Sequence, residues 1–60
     1  MLELRFNETD KHVWLWNNNW PIACINAKVM DIEIRENGQL QILLSKNVGF
    51  VIVNAIRRDD

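Results

Sequence analysis

The sequence is poor in the residues that small proteins use for chemistry or covalent reinforcement. Cys24 is the one cysteine, so no intramolecular disulfide forms and no cysteine-rich metal site can be built. One histidine (His12), two hydroxyl side chains (Thr9 and Ser45) and no tyrosine leave little from which to assemble a nucleophile, a base and an orienting group. No apolar run exceeds four residues, as in Phe50–Val53, and this excludes a membrane-spanning helix. Glu3 and Arg5 stand so close to Met1 that no secretory signal can be read. Neither sign of charge dominates: seven basic against eight acidic residues give a net charge of −1, without the bulk basicity of non-specific nucleic-acid binders. A soluble cytoplasmic protein that is not an enzyme, with no metal and no cofactor, is expected.

What is present is strand material. Of 60 residues, 48% are apolar and 25% charged, the balance of one globular domain over 1–60 rather than a disordered chain. Isoleucine and valine sit in alternating or short continuous runs, and helix-period spacing is hard to find. The fold class expected is all-β and mainly antiparallel, a small curled sheet or partly open barrel of about five strands. Leu2, Leu4 and Phe6 alternate with Glu3 and Arg5 in a first strand, and Asn7–Lys11 is a polar turn. A second strand covers His12–Trp16 and ends at Asn17-Asn18-Asn19, residues that tolerate left-handed backbone. Between Trp20 and Met30 the pattern fits either a strand or one short helical turn near 21–29, with Pro21 in its first turn.

Met30, Ile32 and Ile34 alternate with Asp31, Glu33 and Arg35 ahead of Asn37-Gly38, which marks a hairpin. A two-residue turn would set Glu33 against Ile42. A three-residue loop, Glu36-Asn37-Gly38, with Gly38 left-handed in a bulge, instead pairs Ile34 with Leu40, Ile32 with Ile42 and Met30 with Leu44. A second hairpin turns within Ser45–Gly49 and returns through Phe50–Ile56. Phe50–Val53 is apolar on both faces, and Leu43 stands opposite the Ile42 and Leu44 stripe. Two apolar faces need cover on each side, and 60 residues have little to spare. A homodimer is therefore expected, with Leu43, Phe50 and Ile52 at the interface.

Few side chains suggest chemistry. Asp10 and His12 read as a solvated turn edge before they read as an orienter and a base. Asp31 and Glu33 lie about 6 to 7 Å apart on one strand face, but with Arg35 they make an ordinary exposed face. Cys24, between Ala23 and Ile25, reads as a small buried apolar residue. Trp14, Trp16 and Trp20 exceed background, since every tryptophan of the chain falls within seven residues. They suit an aromatic partner-binding surface, while Trp14 or Trp16 also suits the core and Trp20 partial exposure. The leading reading is a stand-alone regulator or inhibitor that binds a protein. The alternative is a regulator that binds RNA or single-stranded DNA, with the tryptophans stacking on bases and Arg5, Lys11, Lys28, Arg35, Arg57 or Arg58 on phosphates.

Two segments, Met1-Leu2-Glu3-Leu4-Arg5 and Asn37-Gly38-Gln39-Leu40-Gln41-Ile42, resemble the opening strand and the glycine-turn strand of the carbon storage regulator family. The resemblance implies an intertwined β dimer that binds RNA. Tryptophan- and asparagine-rich residues stand where that family is short, and its polar helical tail is missing, so no RNA-contacting residue is carried over.

Overall fold

A computed structural model describes residues 1–47 and 49–58, with the backbone alone at 57 and 58. It contains six strands: β1 (Leu2–Asn7), β2 (His12–Asn17), β3 (Trp20–Cys24), β4 (Lys28–Ile34), β5 (Leu40–Lys46) and β6 (Gly49–Arg58). They form one sheet in the order β3-β2-β1-β6-β5-β4, antiparallel except where β1 meets β6. The fold is thus all-β, with six strands rather than about five. The helical turn considered near 21–29 is absent. Residues 20–24 pair with β2 instead, because Asn18 and Asn19 both take left-handed backbone (φ 50° and 67°) and close a two-residue hairpin that sets Trp20 opposite Asn17.

The sheet has to curl. β3 and β4 are its two edges, and in a flat six-stranded sheet they would stand about 24 Å apart. Only Ile25–Ala27 joins them, and the four steps from Cys24 to Lys28 reach at most about 14 Å. The resulting half-barrel holds a core of Phe6 and Val13 from one side and Leu40, Ile42, Leu44 and Ala55 from the other. Ile25 and Ala27 of the link pack against this core, and the Ile25 amide donates to the Val13 carbonyl at 2.8 Å.

The central hairpin closes through the three-residue loop. Gly38 N donates to the Arg35 carbonyl at 3.0 Å, Arg35 N donates to the Gln39 carbonyl at 2.8 Å, and Gly38 has φ +86°. Ile34 pairs with Leu40 and Ile32 with Ile42 as the alternation requires. The Met30 to Leu44 pairing does not form: Val29 faces Leu44, and Met30 is the extra residue of a β-bulge. The β-branched Val29, partly buried, packs against the core in its place, and the bulge bends β4 locally. The second hairpin pairs Lys46 with Gly49; Val48, inside the turn expected within Ser45–Gly49, lies outside the described residues.

Candidate functional site

Alternation along β2 puts Val13 in the core and turns Trp14 and Trp16 to the convex outer face, where Arg5 and Glu3 of β1 are their register partners. Neither tryptophan belongs to the core cluster, so the core role considered for Trp14 or Trp16 is corrected: Phe6 and the aliphatic side chains fill the half-barrel without them. Both are half-buried beside Arg5. The Arg5 Cζ lies 4.1 Å from the Trp16 ring centroid, its Nε donates to Glu3 Oε1 at 2.6 Å, and its Nη2 donates to Asn19 Oδ1 at 2.9 Å. Arg5 is only 7% exposed, so one face of Trp16 is covered and the guanidinium is held by its neighbours.

Trp14 is fixed from the β1–β2 turn. Its Nε1 donates to Asp10 Oδ2 at 2.8 Å, while Asp10 Oδ1 accepts the His12 amide at 2.9 Å. Asn7 Oδ1 accepts the amides of Thr9 and Asp10, which shapes the same turn. The His12 ring meets the Asp10 backbone oxygen at 2.7 Å, whereas its Nδ1 stands 3.9 Å from the carboxylate. Asp10 therefore serves the turn and the indole. Trp20, at the start of the edge strand, is 74% exposed. Cys24 is exposed too, which corrects its expected burial: the bulge in β3 leaves it opposite Trp14 on the outer face of an edge strand.

The register places Leu43 opposite Ile52 and Ser45 opposite Phe50, so Leu43, Phe50 and Ile52 share the outer face of β5 and β6. Phe50 is 68% and Ile52 59% exposed. Asp31 and Glu33 lie beside this strip, opposite Leu43 and Gln41. Among the described residues no three His, Cys, Asp or Glu side chains come together in a way that would hold a metal ion.

No family model matches the chain, and neither curated proteins nor solved structures supply a match. The likeness to carbon storage regulators stays confined to its two short segments, and the geometry of the site carries the functional reading. No helix is long and apolar enough to cross a membrane.

One arrangement was hidden in the sequence. A groove of about 560 Å³ is lined by the β1–β2 turn, the β3–β4 link and the β5–β6 turn, and Lys11, Lys28 and Lys46 all border it. These are the three lysines of the chain. The signal for it was that each lysine lies in a turn or within two residues of one; their separations of 17 and 18 positions conceal that the turns meet.

Proposed function

We propose that this chain is a non-catalytic binding module that works as a homodimer and acts by holding a protein partner, as a regulator or inhibitor in the cytoplasm. One observation carries the reading: Phe50, Val51 and Ile52 are consecutive, each more than half exposed, and directed to alternate faces of β6. The half-barrel core lies on one side of β6, and among the described residues no further layer covers its outer side. A second copy placed on the Leu43, Phe50 and Ile52 strip removes that surface from water, with Asp31 and Glu33 as a polar rim. An exposed thiol at Cys24 suits a reducing compartment.

The partner surface is the tryptophan face. Trp14 and Trp16, locked by Asp10 and Arg5, form a rigid outer face, and Trp20, paired with Asn17 at the β2–β3 turn, adds an exposed anchor at its rim that loses little entropy on binding. Sedimentation equilibrium at micromolar concentration should give twice 7.1 kDa for the native chain and 7.1 kDa for Phe50→Lys. A 7.1 kDa native species rejects the dimer. Trp20→Ala should keep the dimer and its melting temperature but lose capture of the partner from nuclease-treated lysate. Capture that disappears on nuclease treatment of the native protein would instead favour the RNA or single-stranded DNA reading.

A further inference from the structure

The lysine groove borders the tryptophan face at Asp10 and the outer strip at Ser45, but its lysines belong to neither, and it needs its own explanation. Lys11, Lys28 and Lys46 border it, and among the described residues Asp10 is the one carboxylate of its lining. The local formal charge is therefore +3 − 1 = +2, in a chain whose net charge is −1. Neither the Arg5–Glu3 ion pair nor the His12–Asp10 contact takes in a lysine. Of the six carboxylates among the described residues, Asp10 alone is in the lining that gathers all three lysines. Like charges brought together without counter-charges repel one another, and a dianion placed between them removes that repulsion.

The backbone points the same way. Lys11 holds φ +62° and Asn47 holds φ +58°, both in the left-handed region, and both border the groove. Asparagine tolerates that conformation; lysine has no side-chain reason to adopt it. The left-handed turn thus carries a lysine at the groove's rim where asparagine would suit the backbone better.

We propose that this groove binds the phosphate group of a small phosphorylated molecule. The charge of +2 matches the −1.5 to −2 or so of a phosphate monoester at neutral pH. Lysine recognises phosphate as a point charge, and Asn26, Ser45 and Asn47 on the groove wall bring neutral polar groups able to donate to the remaining oxygens. The volume falls in the range of small-molecule sites, about 300 to 1,000 Å³. Among the described side chains no arginine lines the groove, which leaves recognition to point charges rather than to a planar fork.

The test is a titration of the ¹⁵N-labelled protein with inorganic phosphate and with pyrophosphate at fixed ionic strength, which holds general screening constant. Amides of Lys11, Lys28 and Lys46 should move on one saturable curve, with the amide of Arg35 unmoved. Lys28→Gln and Lys46→Gln should each weaken pyrophosphate by about fivefold, the loss of one nearby charge in a solvated site. Lys11→Asn should weaken it similarly while raising the melting temperature by a few degrees, because asparagine suits the left-handed turn; this separates binding from folding. A linear drift shared by Arg35, or an equal loss of affinity in Arg35→Gln, would overturn the site.

Discussion

Arg5 shows how a single side chain can organise a surface. A guanidinium 7% exposed loses most of its hydration, and the loss is offset by Glu3, by Asn19 and by the Trp16 ring. Removing the charge leaves Glu3 without its partner and uncovers Trp16. Arg5→Ala should therefore destabilise by about 2 kcal/mol in urea unfolding, within the range for a partly buried, hydrogen-bonded charge. Arg5→Lys should recover only part of this, since an ammonium cannot bond Glu3 and Asn19 while lying flat on an indole. Full recovery by lysine would show that charge alone, and not the planar fork, holds the tryptophan face. Trp14 depends on the opposite device, an acceptor delivered by a turn, and the two indoles are thereby fixed from different ends of β2.

At the scale of elements, the Glu36-Asn37-Gly38 loop sets the register of β4 on β5. Gly38 has φ +86° and a Cβ there would meet nothing within 4 Å, so the cost of a side chain is conformational and not steric crowding by neighbours. Gly38→Val should destabilise by about 1 to 2 kcal/mol, and Gly38→Asn by clearly less, as read by chemical denaturation. The hairpin was legible because turn chemistry and alternation agree there: Ile34 and Ile32 meet Leu40 and Ile42 only through a loop of that length. The Met30 bulge was not legible. Met30, Ile32 and Ile34 form an unbroken alternation in the sequence, and nothing local says that Val29 will take the core place once β4 must bend. The tryptophans were half legible. The shared face of Trp14 and Trp16 follows from period two, but the side of the sheet they occupy depends on Phe6, Leu40 and Ile42 filling the interior first. The lysine groove was legible in no local window, since its three turns are brought together only by the curl.

For the whole molecule, the curl that the Ile25–Ala27 link imposes closes the core on one side and leaves the apolar outer strip of β5 and β6 uncovered. A half-barrel of 60 residues gains about as much from burial as it loses in ordering, so assembly and folding should be one event if a second copy covers that strip. Mass action then ties stability to concentration: for a dimer that unfolds to two chains, each tenfold rise in concentration adds about 1.4 kcal/mol per dimer. Spread over the unfolding entropy of 120 residues, at about 2.1 cal/mol/K each, this raises the melting temperature by about 5 °C. The native chain should show that rise between 10 and 100 μM or so in a thermal melt followed by tryptophan fluorescence. Phe50→Lys should melt lower and at a temperature independent of concentration, because a charge on the strip prevents its twofold burial. Trp20→Ala lies on the other face and should keep the full concentration dependence. A native melting temperature that does not move with concentration would place the uncovered strip in the service of a different partner.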